Sequence, residues 1–131
     1  MGMENVLMMN CGDGYRRAGR GATGPITGKA ASYTIKPQDV VAGRVFSNTG
    51  AGAAVTFTLP TPKAQMEIPF FKAVPAQNLV IQATAAAKIN GGTAGKAYQN
   101  VTSETGTCVL FSDGVDWYVK AEKGTWANNN T

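Results

Sequence analysis

The dipeptide Asp113-Gly114 constrains the fold of this chain more than any other feature of its sequence. Residues 107–112 (TCVLFS) precede it and residues 115–119 (VDWYV) follow it, and both runs are rich in strand-forming residues. An Asp-Gly pair between two such runs is among the strongest short-range signals for a β-hairpin, because Asp tolerates and Gly readily adopts the positive φ angles of tight turns. The C-terminal part of the chain is therefore predicted to form two antiparallel strands.

Strand patterns extend through most of the remaining sequence. In residues 54–59, Val55, Phe57 and Leu59 alternate with threonines, which is the period-2 signature of a half-buried strand. Further strand-like runs occupy residues 40–47, 66–74, 79–84 and 97–101, and no stretch shows sustained helical periodicity. Turn residues recur about every 8–12 positions. We predict an all-β fold of about seven or eight short strands, arranged as a small antiparallel, jelly-roll-like β-sandwich or barrel.

The N-terminal segment has a different composition. Glycines are frequent in residues 10–31, and from Tyr15 to Lys36 the chain contains five basic residues and no acidic one. Those basic residues are Arg16, Arg17, Arg20, Lys29 and Lys36. Glycine's backbone entropy disfavours a fixed shape for such a segment by itself. We predict an extended basic arm over residues 1–31 and a β-domain over residues 32–131.

The chain has few large apolar side chains. Leu, Ile, Val and Phe together supply 25 of the 131 residues. A domain with so thin a core often gains further burial from a subunit interface or a partner surface. The N-terminus has no apolar run of signal-peptide or membrane-spanning length, so a soluble protein without an export signal is expected.

Residue types restrict the chemistry. The chain has no histidine, which removes Ser-His-Asp and Cys-His catalysis and His-ligated zinc. Cys11 and Cys108 are too few for a structural zinc site, and their spacing leaves open whether they pair. Asp113 is expected to cap the hairpin turn and Asp116 to point to solvent, so two facing carboxylates are not expected. We predict no catalytic residue, no metal site and no cofactor.

Residues 89–97 (INGGTAGKA) resemble a phosphate-binding loop only superficially. That motif requires Gly where Asn90 stands and Ser or Thr where Ala97 stands, and a helix should follow it. Residues 97–101 have strand character instead. The stretch is predicted to be a glycine-rich turn.

Several segments together resemble small β-structured virion proteins of tailed bacteriophages. They are residues 33–35 (YTI), 46–50 (FSNTG), 55–60 (VTFTLP), 90–95 (NGGTAG), 101–107 (VTSETGT), 112–119 (SDGVDWYV) and 124–126 (GTW). The resemblance covers about residues 32–126 and omits the basic arm. It implies a β-sandwich that usually trimerises, either in a capsid decoration (cement) protein or in a head or tail fibre.

This resemblance gives the leading functional hypothesis. The chain would be made in the host cytoplasm and would bind the outer surface of a capsid as a homotrimer, with the major capsid protein as partner and without contacting nucleic acid or membrane. Arg16, Arg17, Arg20 and Lys29 of the arm are the expected capsid contacts, since they can pair with carboxylates on a capsid surface. Tyr15 and Trp126 are further interface candidates.

Two alternatives remain open at this level. A fibre or receptor-binding module could use Trp126 to stack on cell-surface sugars. Arginine- and glycine-rich segments also bind nucleic acid, although few aromatic residues accompany the charges here.

Overall fold

The computed structural model describes residues 26–129, which contain ten strands and one short helix. In chain order these are β1 (Ile26–Gly28), β2 (Tyr33–Thr34), α1 (Pro37–Val41), β3 (Val45–Ser47), β4 (Val55–Thr58), β5 (Ala64–Lys72), β6 (Leu79–Gln82), β7 (Ala97–Asn100), β8 (Gly106–Asp113), β9 (Trp117–Lys123) and β10 (Ala127–Asn129). The first sheet has the order β1-β3-β5-β8-β9 and the second the order β10-β7-β6-β4-β2. The two sheets pack together, so the predicted all-β sandwich is confirmed.

The first six strands alternate between the two sheets. We call residues 26–82 the wound half, because β1, β3 and β5 lie in the first sheet while β2, β4 and β6 lie in the second. Each strand returns to its own sheet in the same direction, so the neighbouring strands within the wound half are parallel. The expectation of antiparallel pairing throughout, as in a jelly roll, is therefore corrected to mixed sheets. Parallel neighbours require a crossover connection, and here a strand of the opposite sheet supplies it.

The last four strands pair with antiparallel neighbours. We call residues 97–129 the hairpin half, in which β8 joins β9 through the turn predicted from Asp113-Gly114. Ser112 lies opposite Trp117, and Gly114 has a φ of 100° that favours glycine. The Asp113 carboxylate accepts hydrogen bonds of 2.9 Å from the backbone N–H groups of Val115 and Asp116. Both the hairpin and the capping role of Asp113 are confirmed.

One predicted strand is partly wrong. Residues 40–47 begin inside the helix α1, and only Val45–Ser47 form a strand. Pro37 suits the first helical turn because its missing N–H is not needed there. The Asp39 carboxylate accepts a 3.0 Å hydrogen bond from the N–H of Lys36, which fixes the helix start. Local capping therefore overrides the β-branched residues that favoured a strand.

An aromatic cluster holds the two sheets together. Phe46 of β3 and Phe70 of β5 face Phe57 of β4, with ring centroids 5.5 Å and 5.6 Å from that of Phe57. All three side chains are buried, as is Trp117 at the start of β9. Trp117 therefore belongs to the hydrophobic core.

Candidate functional site

The basic segment enters the sandwich as a strand. Residues 26–31 were predicted to belong to the arm, yet Ile26–Gly28 form β1 at the edge of the first sheet. Ile26 lies opposite Val45 and Gly28 opposite Ser47 in parallel register. The part of the basic segment that the structure describes is thus fixed to the domain by strand pairing.

Lys29 lies against its own domain. Its backbone N–H donates to the carbonyl oxygen of Ser47 at 2.8 Å, which continues the pairing past β1. Its ammonium group lies 3.9 Å from the centroid of the Tyr33 ring, a cation–π contact that stabilises by about 0.5–1 kcal/mol at exposed sites. The predicted capsid contact Lys29 therefore has a defined position on the sandwich surface.

A polar network around Asp39 joins α1 to β1. The Tyr33 hydroxyl donates to Asp39 at 2.7 Å, and the Arg44 guanidinium lies 3.5 Å from the same carboxylate. Arg44 also donates to the hydroxyl of Thr27 in β1 at 3.2 Å. Burial works to raise the pKa of Asp39, but the N–H of Lys36, the Tyr33 hydroxyl and Arg44 together hold it below its usual value. The hydrogen bond to this carboxylate raises the pKa of Tyr33 in turn.

Two large apolar side chains are exposed on the elements that this network joins. Ile26 of β1 is 68% exposed and Val41 at the end of α1 is 90% exposed. Isolated exposed apolar residues are ordinary on protein surfaces. These two, however, lie on the elements that Arg44 connects, where the basic segment joins the sandwich. We name Ile26, Lys29, Val41 and Arg44 the junction residues.

Four predicted interface residues of the arm lie outside the described residues. They are Tyr15, Arg16, Arg17 and Arg20, and their roles stay predictions. Cys11 also lies outside, so its pairing with Cys108 stays open. Cys108 itself is buried in β8. Burial, followed by the nearby charge of Glu122, raises the pKa of its thiol to about 12.

Trp126 packs inside the chain. Only 7% of its surface is exposed, and its ring stacks on Tyr98 with centroids 6.2 Å apart and planes 12° apart. The indole N–H donates to the carbonyl oxygen of Lys123 at 3.0 Å. The Tyr98 hydroxyl donates to Glu122 at 2.5 Å, which links the second sheet to β9. Burial first and this hydrogen bond second raise the pKa of Tyr98. The faces that a sugar or a neighbouring subunit would stack upon are largely covered.

The sequence did not indicate a buried polar cluster between the sheets. Lys72, at the end of β5, is fully buried, and its ammonium donates to the side-chain oxygen of Asn100 at 3.2 Å and to the backbone carbonyl of Thr102. Burial lowers the pKa of Lys72. One signal could have located it: Ile68, Phe70 and Lys72 alternate along β5, so a strand with the first two inside must also place Lys72 inside. We name Lys72, Asn100 and Thr102 the inter-sheet cluster.

Other sequence candidates are engaged in structural roles. Asp116 is half-buried, and its carboxylate accepts the N–H of Lys88 at 2.9 Å in a hydrogen bond at the surface. Residues 90–95 form turns and the strand β7 follows them, which confirms the glycine-rich turn predicted for INGGTAGKA.

Among residues 26–129, no group of three His, Cys, Asp or Glu side chains is placed to hold a metal ion.

A scan against protein-family models and a search of curated proteins find no match to this chain. No helix within residues 26–129 is long and apolar enough to cross a membrane.

Proposed function

We propose that this chain is a capsid decoration protein whose sandwich sits on the outer surface of a phage shell. In this proposal the basic segment contacts acidic surfaces of the capsid subunits. The observation that carries it is the distribution of charge. Residues 15–36 contain five basic residues and no acid, although the whole chain has a net charge of only +4.

The acidic residues of the sandwich are mostly engaged within the chain. Asp39 contacts Tyr33 and Arg44, Glu67 pairs with Lys120 at 2.7 Å, Asp113 caps its turn, Asp116 binds the Lys88 backbone, and Glu122 binds Tyr98. A carboxylate already bonded in this way offers fewer of its acceptor sites to a second cation. The arginines of the arm are therefore better matched to acidic groups on another protein.

The junction residues also support a contact between the basic arm and the capsid. Because β1 is paired with β3, a segment bound to a capsid would be tethered to a strand of the first sheet. The exposed Ile26 and Val41 could bury apolar surface against the same partner, adding contact area beside the ionic contacts. The proposed contact would then extend from the arm onto the sandwich.

Trimerisation would multiply the affinity of the arms. Three arms on one trimer bind as linked modules, and such linkage raises overall affinity by about 10²–10⁴ when the geometry permits simultaneous contact. The few large apolar residues of the chain also favour burial at a subunit interface. We therefore propose a homotrimer placed where capsid subunits meet.

Deletion of residues 1–25 tests the proposal. This cut leaves β1 in place, whereas a cut at residue 31 would also remove a paired strand. We expect the shortened chain to stay folded and to lose cosedimentation with DNA-free capsids, with affinity reduced about a hundredfold or more. The triple variant Arg16→Glu, Arg17→Glu, Arg20→Glu should show a comparable loss, because it reverses the arm's charge without shortening it.

A matched triple variant controls for net charge. This control replaces three sandwich lysines by Lys63→Glu, Lys88→Glu and Lys96→Glu, so the net charge changes by the same amount. Capsid binding should stay within about twofold of the parent chain, because salt screens surface charges that lie far from the contact. Equal losses in both triple variants would indicate nonspecific attraction and would contradict the arm assignment. Undiminished binding after deletion of residues 1–25 would contradict it as well.

The fibre alternative predicts a different result. Binding to a glycan array by the full chain, with no binding to capsids, would favour a receptor-binding module. The buried stacking of Trp126 on Tyr98 gives that alternative no exposed tryptophan in the described part of the chain.

A further inference from the structure

The inter-sheet cluster brings an amine and an amide together across the sandwich. Lys72 ends β5 in the first sheet and Asn100 ends β7 in the second, and both side chains are fully buried. The Lys72 ammonium nitrogen lies 3.2 Å from the side-chain oxygen of Asn100. Within residues 26–129, the hydrogen bonds of Lys72 reach amide oxygens and no carboxylate. Such a buried amine has no counter-charge to keep it protonated.

The side-chain oxygen of Asn100 accepts hydrogen bonds, whereas its amide nitrogen has no partner among the described residues. Its oxygen accepts the backbone N–H of Thr102 at 3.1 Å and the Thr102 hydroxyl at 2.7 Å. Donors aimed at a carbonyl oxygen stabilise the negative charge that develops there when a nucleophile adds to the carbon. The Asn100 amide nitrogen is buried and makes no hydrogen bond to the residues described. None of those residues therefore holds that nitrogen in place.

The first sheet leaves room for this contact. Gly106 lies opposite Lys72 in β8, and a Cβ atom on it would come within 2.7 Å of the Asn100 amide nitrogen. Glycine at this position lets the amide approach β8 closely. Burial also lowers the pKa of Lys72, which favours its neutral, nucleophilic form.

We propose that Lys72 and Asn100 become joined by an intramolecular isopeptide bond that links the two sheets. The lone pair of Lys72 Nζ adds to Cγ of Asn100, and the resulting oxyanion accepts the two Thr102 donors. One proton passes from Nζ to Nδ2, the Cγ–Nδ2 bond breaks, and ammonia leaves. The step neither oxidises nor reduces any atom, and its only product besides the cross-linked chain is ammonia.

Such a bond would constrain the chain as a disulfide does. It would close the segment between Lys72 and Asn100, which holds β6 and most of β7, into a covalent loop. A cross-link of this kind lowers the entropy of the unfolded chain and therefore stabilises the fold. Unlike a disulfide, it would persist under reducing conditions. The bond would form whether or not the chain binds a capsid.

Intact-mass spectrometry of the reduced, purified full chain tests the bond. We expect a mass below that of the sequence by one molecule of ammonia, and fragmentation should yield one branched peptide containing Lys72 and Asn100. Trypsin should fail to cleave after Lys72. A chain with the full mass, allowing for removal of Met1, would overturn the proposal.

Variants separate this bond from other losses of ammonia. Lys72→Met and Asn100→Ala should each retain the ammonia, whereas Lys63→Met, at an exposed lysine, should lose it as the parent chain does. Asn90 precedes Gly91 in an exposed turn, where asparagine can cyclise with the same mass change. A loss mapped to Asn90 instead of the Lys72–Asn100 pair would also overturn the proposal. Because the parent chain is mapped directly, the result stands even if a core variant fails to fold.

Discussion

The wound half and the hairpin half build one sandwich by different routes. In residues 26–82 each strand crosses to the opposite sheet, so parallel neighbours come from segments well separated in sequence, such as Val55 beside Leu79. In residues 97–129 antiparallel neighbours dominate, and β8 and β9 meet through a tight turn. Local contacts form at low entropic cost, whereas distant ones must first close a longer loop. We infer that the wound half depends on core packing and the hairpin half on turn geometry.

The largest effect should come from the aromatic cluster of the wound half. Phe57→Ala removes a ring buried between Phe46 and Phe70 and should lower the free energy of unfolding by about 3–5 kcal/mol. Urea denaturation followed by tryptophan fluorescence would measure the loss. Phe111→Ala is the matched control, because Phe111 is 39% exposed on β8 and should contribute much less.

Similar losses from both phenylalanines would contradict the proposed division. They would mean that the hairpin half depends on its outer-face packing as strongly as the wound half depends on its core.

An intermediate effect is expected where the hairpin half meets the inter-sheet cluster. Gly106→Ala places a Cβ atom 2.9 Å from the carbonyl oxygen of Lys123 and even closer to Asn100. Forcing a methyl group into such a space costs about 1–3 kcal/mol. Gly52→Ala is the control, since no atom lies within 4 Å of the position its methyl group would take, and its stability should hardly change. An unaltered urea midpoint for Gly106→Ala would show that the two sheets are not closely packed there.

The smallest effect concerns the hairpin turn and depends on pH. Hydrogen bonds from the N–H groups of Asp116 and Val115 hold the pKa of Asp113 below its ordinary value of 3.8. A carboxyl group with a lowered folded pKa stabilises the fold above its unfolded pKa, and this contribution disappears as the pH falls through the folded value. The melting temperature of the parent chain should therefore decrease as the pH drops below about 4, and part of that decrease should be absent in Asp113→Asn.

Glu104 lies in an exposed loop. Its Glu104→Gln variant is the control for the pH dependence of Asp113→Asn, because it also replaces one carboxylate by an amide. If the acid-induced loss of stability is the same in Asp113→Asn as in the parent chain, the turn carboxylate does not contribute to it.

The features predictable from the sequence were those encoded by neighbouring residues. The β8–β9 hairpin, the cap at Asp113, the alternating strand around Phe57 and the turn at residues 90–95 all follow from short patterns. The winding of the first six strands does not, because the same alternation suits a strand with parallel or antiparallel neighbours. The segment 40–47 was misjudged because capping by Asp39 outweighed β propensity.

The positions of the candidate site residues likewise depend on contacts between distant parts of the sequence. Lys29 could be recognised as part of a basic run, but its position over Tyr33 required the packing of β1 beside β3. Lys72 and Asn100 are far apart in sequence, so only the packing of one sheet against the other brings them together. The inward position of Trp126 likewise required β7, which supplies Tyr98.

A salt-dependent binding titration of the full chain on DNA-free capsids tests whether the basic arm binds an acidic capsid surface. The basic arm and the acidic capsid surface should attract through charges that salt screens, so binding should be saturable at low salt and weaken steeply as salt rises. The Arg16→Glu, Arg17→Glu, Arg20→Glu variant should bind weakly at every salt concentration. Absence of saturable binding at low salt, or binding equally strong in that variant, would contradict the proposed role of the arm in capsid binding.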